Sequence, residues 1–119
     1  MKKINYHNKY FRSSSNTANG EVSAETTFHY RQEGERIIWA TYEGGEIRFG
    51  TLSGEVFPNG ELEFCYQHQN KAGQFMTGRC HSVPEVLADG RIRLHEQWQW
   101  TSGNQSKGES VIEEIASMS

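Results

Sequence analysis

Proline and cysteine are both scarce, with two of each among 119 residues. Cys65 and Cys80 form no CxxC and have no second pair beside them. That excludes a disulfide framework and a zinc-ribbon type of site, and leaves two free thiols as the expectation. Long apolar runs are missing too: nothing approaches the ~20 apolar residues of a membrane-spanning helix. The opening Met1-Lys2-Lys3-Ile4-Asn5-Tyr6-His7-Asn8-Lys9 starts charged but turns polar where a secretory signal would place its apolar segment. A bacterial-type cytoplasmic location with no membrane partner is expected. Positive charge is also thin, since 12 basic residues face 15 acidic ones for a net −3. The basic residues are scattered and not clustered, so nucleic acid is not an expected partner.

Runs of alanine, leucine and lysine of the helix-forming kind are absent, and only 34% of residues are apolar. Mean hydropathy is −0.78. A two-sheet sandwich would be hard to fill from such a list, whereas a thin closed sheet needs less. One domain over residues 1–119 is the size such a chain supports.

What is abundant is glycine, at 12 residues, and aromatic side chains, at 12%. Alternating runs are separated by glycine-containing turns at Thr17–Gly20, Glu33-Gly34, Glu43–Glu46, Pro58-Asn59-Gly60, Lys71-Ala72-Gly73, Ala88-Asp89-Gly90 and Ser102–Gly108. The runs between them predict eight strands at 4–13, 20–31, 36–43, 46–57, 61–69, 74–83, 91–101 and 108–116. Pro84 is expected to end the sixth strand or to force it to an edge or bulge. No segment has room for crossover helices, so the strands are antiparallel. Strands linked only by hairpins leave two open edges, and closure removes them. The fold class expected is therefore all-β, an eight-stranded up-and-down meander closing into a barrel.

Turn chemistry also sets faces. A three-residue loop at Lys71-Ala72-Gly73 pairs Phe64 with Cys80 and Tyr66 with Gly78, and the same rule at Ala88-Asp89-Gly90 pairs Glu96 with Ser82 and Trp98 with Cys80. Phe64, Tyr66, Cys80, Glu96, Trp98 and Trp100 then share one face, the interior. A two-residue turn at Glu33-Gly34 adds Phe28, Tyr30, Ile37 and Trp39.

Glu96 stands among Ile92, Leu94, Trp98 and Trp100, where a purely structural strand would carry another aliphatic residue. A buried carboxylate must be paired, hydrogen-bonded or protonated. It is either a ligand anchor or general acid/base, or one half of an internal ion pair with Arg48 or Arg12, or a water-bonded group at the end of the barrel. Trp39, Tyr30, Tyr66, Trp98 and Trp100 read as an aromatic lining, a pocket wall or a plain core. His68 is a candidate for the pocket rim. His7, His29, His81 and His95 have no metal-ligand spacing and read as solvated, so neither metal nor cofactor is expected. Cys80 reads as a small buried hydrophobe and not a nucleophile.

Ser23-Ala24-Glu25-Thr26, Phe28-His29-Tyr30, Thr77-Gly78 and above all Ile92–Gly103 resemble a family of small bacterial proteins of this length, across nearly the whole chain. Its members are often labelled N-acetylglutamate synthase, which implies acetyl transfer from acetyl-CoA to glutamate. The pyrophosphate-binding turn of such enzymes, Q/R-x-x-G-x-G/A, has its nearest match at Arg31–Arg36, which departs at the last position and sits in a hairpin. The architecture is also similar to avidin-type, lipocalin-type and fatty-acid-binding (calycin-like) barrels, without a G-x-W on the first strand or a helical lid. Three functions remain open. One is binding of a small, partly aromatic or amphipathic molecule in the interior. The second is an enzyme using Glu96 as acid or base, with Tyr30, Tyr66 or His68 assisting. The third is a structural or homo-oligomer-forming module with a filled core and an outer patch around Ile38, Phe49 and Phe57.

Overall fold

A computed structural model describes residues 4–115. Eight strands, β1 (Lys9–Asn16), β2 (Thr27–Glu33), β3 (Ile37–Gly44), β4 (Ile47–Val56), β5 (Leu62–Asn70), β6 (Phe75–Val86), β7 (Ile92–Trp100) and β8 (Lys107–Glu114), follow one another in space as in sequence. All neighbours are antiparallel, and β8 pairs back with β1 to close the barrel. The all-β fold expected from the turns is the one observed. β3 to β8 each begin within one residue of the expected position. Ala116, expected at the end of the eighth strand, lies outside the described residues, as do residues 1–3 and 117–119 of the expected domain.

The first two strands start later than the alternation implied, and local chemistry explains both. Asn8 takes a left-handed conformation (φ 59°), which breaks the run and lets Tyr6 turn into the barrel, where it is fully buried. Residues 17–26 form two tight turns instead of a strand. The Gly20 N–H donates to Thr17 O at 2.9 Å and the Thr26 N–H to Ser23 O at 2.9 Å, while Thr26 Oγ1 donates to Gly44 O at 3.1 Å. β6, in contrast, runs through Pro84. The β5 ladder ends at Leu62 and Ser82, so beyond that point β6 pairs only with β7 and a missing N–H is tolerated.

The two three-residue loops give the expected register, with Phe64 opposite Cys80, Tyr66 opposite Gly78, Ser82 opposite Glu96 and Cys80 opposite Trp98. The β2–β3 turn does not. Glu33 pairs with Ile37 around Gly34-Glu35-Arg36, with Gly34 left-handed at φ 60°. An odd shift of register inverts every side chain of a strand. Ile38, Ala40 and Tyr42 therefore face inward, whereas Ile37 and Trp39, expected inside, face outward. Trp39 instead lies beneath the Arg31 guanidinium, 4.7 Å from the ring centroid. The expected outer patch dissolves with the same correction: Ile38 is buried, Phe57 is half-buried near His81, and only Phe49 is exposed.

Inside, the barrel is packed unequally. The end that receives the N-terminal segment is filled by Tyr6, Phe11, Tyr30, Ile38, Leu62, Leu94 and Ile112, all fully buried. Tyr6 Oη donates to Gly60 O at 2.6 Å, fixing it as a plug. Each such large apolar side chain stabilises the fold by about 1.5–3 kcal/mol. Toward the other end the wall is aromatic, and several rings rest on glycines of the adjacent strand: Tyr42 opposite Gly50, Tyr66 opposite Gly78, and Trp98 opposite Gly108. A Cβ at any of the three would stand 2.2–2.4 Å from the ring. Absent side chains there let large rings lie close to the sheet, leaving space on the barrel axis.

Candidate functional site

That space is a pocket of about 50 Å³, taken as the volume open to the centres of water molecules. At ~10–15 Å³ per water centre it is room for roughly four waters or a ligand group of similar size. Its wall is built from Phe28, Tyr42, Leu52, Phe64, Tyr66, Trp98 and Trp100, together with Cys80, Glu96 and Ser110. The β1–β2 loop crosses the mouth, contributing Gly20, Glu21 and Val22.

Glu96 is held in the interior by two hydroxyls. Ser82 Oγ donates to one carboxyl oxygen at 3.0 Å and Ser110 Oγ to the other at 2.9 Å. Both serines flank Glu96 across the ladders because alternation puts their side chains on the same inner face. Burial pushes the Glu96 carboxyl up to about 7, opposed by the hydrogen bonds from Ser110, Ser82 and the Cys80 thiol. The expected ion-pair alternatives do not form, since Arg12 and Arg48 are both exposed on the outer face.

His68 is buried at the mouth. Its Nε2 lies 2.7 Å from Glu21 and its Nδ1 lies 2.9 Å from Tyr42 Oη. With Nε2–H donating to the carboxylate, Nδ1 accepts the tyrosine proton, and the ring is locked between a strand and the loop. Asn70 Nδ2 donates to the second Glu21 oxygen at 3.0 Å. Indoles hold the other side: Trp98 Nε1 donates to Asn16 Oδ1 at the end of β1 and Trp100 Nε1 to Asn19 O in the loop, each at 3.2 Å. The barrel thus has a lid, made of loop and not helix.

Of the residues singled out in the sequence, Tyr66, His68, Glu96, Trp98 and Trp100 meet at this pocket. Trp39 does not, because its strand is inverted relative to the expected register. Tyr30 is inside but belongs to the packed half, beside Phe11 and Tyr6, with a buried hydroxyl that finds no partner among the described residues. Burial and the Glu96 charge raise its phenol far above the ordinary value. Cys80 is buried and its thiol is pushed up, first by burial and then by Glu96, the opposite of what a thiolate nucleophile needs. Cys65 and Cys80 are both free.

Sequence reasoning missed Tyr42, Glu21 and the two serines. The serines were legible as the partners of Glu96 once its register was known. Tyr42 was hidden by the inverted β3, and Glu21 by a loop read as strand. His81 and His95 are on the outside, bonded to Glu61 and Glu63 and to Glu85. Among the described residues no group of three His, Cys, Asp or Glu could hold a metal ion.

A closed meander of eight hairpin-linked strands, packed at one end and holding a side-chain-lined pocket at the other, is an up-and-down barrel of the calycin-like class. A family model described as Avidin-like protein matches residues 4–115, and the chain belongs to that family. No curated protein matches it.

Proposed function

We propose that the protein is a binding protein that takes a small molecule, or the end of a larger amphipathic one, into the pocket beneath the β1–β2 loop. The observation that carries this reading is Glu96: a carboxylate in an aromatic chamber, with hydroxyl neighbours and, among the described residues, no arginine or lysine to neutralise it. Such a group destabilises the fold and is retained where a ligand uses it. Membership of an avidin-like family supports a barrel interior as the place of binding.

Catalysis by Glu96 is the second reading, favoured by a carboxyl poised near neutrality. Its helpers are poorly suited. Tyr66 is raised above its ordinary value by burial, and both nitrogens of His68 are engaged. Acetyl transfer has still less support, since among the described residues no helix N-terminus offers itself to a pyrophosphate.

The test is a screen of compounds of up to about ten heavy atoms by ¹H–¹⁵N NMR, following the indole N–H signals of the three tryptophans. Binding in the pocket moves Trp98 and Trp100 saturably and leaves the outward Trp39 in place. Shifts confined to Trp39, or none with any compound, would remove the pocket as a binding site.

A further inference from the structure

The hydrogen-bonding groups of the wall are engaged in an asymmetric way. The indole N–H groups of Trp98 and Trp100 donate to Asn16 at the end of β1 and to Asn19 in the loop, the hydroxyls of Ser82 and Ser110 donate to Glu96, and the Tyr42 hydroxyl is bonded to His68 Nδ1. Tyr66 Oη has no hydrogen bond among the described residues, and a phenol serves equally as donor or acceptor. Glu96 differs: a carboxylate offers about four lone-pair sites, and two hydroxyls and a weakly donating thiol leave one for an incoming group. Charge is as one-sided: Glu21 and Glu96 line the pocket, among the described residues no lysine or arginine does, and the basic side chain that does, His68, is already bonded to Glu21. The wall that remains is aromatic, and an aromatic ring attracts a cation placed over its face through its quadrupole.

From this arrangement we infer that the ligand is a small organic cation, an ammonium or guanidinium group, seated against the Trp98 and Trp100 rings with an N–H or polarised C–H directed at Glu96. The inference rests on the pocket being the binding site. Anionic ligands, carboxylates and phosphates included, would meet two acidic residues and a single basic group among the described lining residues, His68, whose Nε2 is already taken up by Glu21. A neutral carbonyl would find only the Tyr66 hydroxyl and a protonated Glu96 to donate to it. The titratable groups that face Glu96 are Tyr30 from β2, Tyr42 from β3, Tyr66 from β5 and Cys80 from β6, and all are neutral at physiological pH because burial raises each. The charge state of the floor is therefore that of Glu96 alone.

The probes are methylammonium, guanidinium and tetramethylammonium chloride, with acetate as the anion and acetamide and phenol as neutral compounds. Each is titrated at pH 8 and pH 5 while the Trp98 and Trp100 indole signals are followed. A cation that requires ionised Glu96 loses affinity by the ratio of ionised fractions, about a hundredfold between these pH values for a carboxyl near 7. The isosteric Glu96→Gln keeps the serine contacts and removes the charge, and is expected to bind the cations weakly and with no dependence on pH. Wild-type protein supplies the same comparison through pH alone should that variant fold poorly. Acetamide, phenol or acetate binding while the cations do not would overturn the inference and leave the pocket standing as a site. Silence from all six probes would overturn both.

Discussion

Tyr66 lies against Gly78, its partner across the β5–β6 ladder, so closely that a Cβ at position 78 would fall 2.3 Å from the phenol Cζ and Oη. The glycine thus sets where the Tyr66 ring of the pocket wall lies, through the side chain it lacks. Gly78→Ala must displace the ring toward the barrel axis, costing about 1–3 kcal/mol as overpacking does. Part of that cost persists without the ring, since the Gln99 carbonyl would be 2.8 Å away. Urea unfolding of Gly78→Ala, Tyr66→Leu and the double variant is expected to show the alanine costing less in the leucine background. Strict additivity would mean that ring and glycine do not bear on each other.

Glu96 makes stability depend on pH in a direction opposite to most surface carboxylates. Its folded pKa is raised to about 7 from an ordinary 4.5, so between those values the native state binds more protons than the unfolded chain. Unfolding free energy therefore falls as pH rises through this window, by an amount on the order of 3 kcal/mol in total. Glu96→Gln removes the penalty while keeping both serines bonded. It is expected to match wild type near pH 4 and exceed it by about 2–3 kcal/mol at pH 8, read from chemical denaturation at each pH. An offset that stays constant with pH would contradict a carboxyl raised by burial.

How much of this was legible depends on how much turn chemistry each segment carries. Lys71-Ala72-Gly73 and Ala88-Asp89-Gly90 fix register on their own, because a left-handed glycine at the third loop position admits essentially one pairing; Phe64, Cys80, Glu96 and Trp98 were placed from them correctly. Glu33-Gly34-Glu35-Arg36 admits two loop lengths that differ in parity, and the choice between them carried Trp39 in or out. Residues 20–26 alternate like a strand but bond their backbone in turns, and the Thr26 hydroxyl ties them to Gly44 O, a contact distant in sequence. The lid, and with it Glu21, became visible only when that contact did. Glu96 was conspicuous because a charge among aliphatics breaks pattern, whereas the hydroxyls that hold it look ordinary until the strands are aligned.

Glu21 joins the β1–β2 loop to the barrel through His68 and Asn70. Glu21→Ala leaves a nearly inaccessible imidazole nitrogen without its acceptor, which costs about 1–3 kcal/mol where the group stays buried. The alternative is for the loop to open and admit water. Hydrogen exchange distinguishes the two: opening speeds exchange at the Thr17–Gly20 turn and at the Trp98 and Trp100 indoles, whereas an unchanged pattern with lowered stability keeps the loop in place. We expect faster exchange, because Glu21 supplies the loop's hydrogen bonds to β5, while Asn19 to Ser106 and Lys107, Thr17 to Glu109 and the Trp100 indole hold it on the opposite side of the mouth.

The opposite end of the barrel offers a control on all of these. Tyr6 closes it with a fully buried ring and a 2.6 Å hydrogen bond to Gly60 O, yet it does not line the pocket. Tyr6→Phe keeps the volume and leaves the Gly60 carbonyl without that donor, for about 1–2 kcal/mol; Tyr6→Ala opens a cavity as well, for about 3–5 kcal/mol. Both losses are expected in thermal unfolding, while ligand-induced shifts at Trp98 and Trp100 stay as in wild type at temperatures where the variants remain folded. The reason is mechanical. Phe11, Tyr30, Ile38, Leu94 and Ile112 fill the section between the plug and Glu96, and a close-packed section passes on little of a change made beyond it. Altered binding in Tyr6→Phe would show instead that the two ends are coupled, and that the packed half takes part in shaping the pocket.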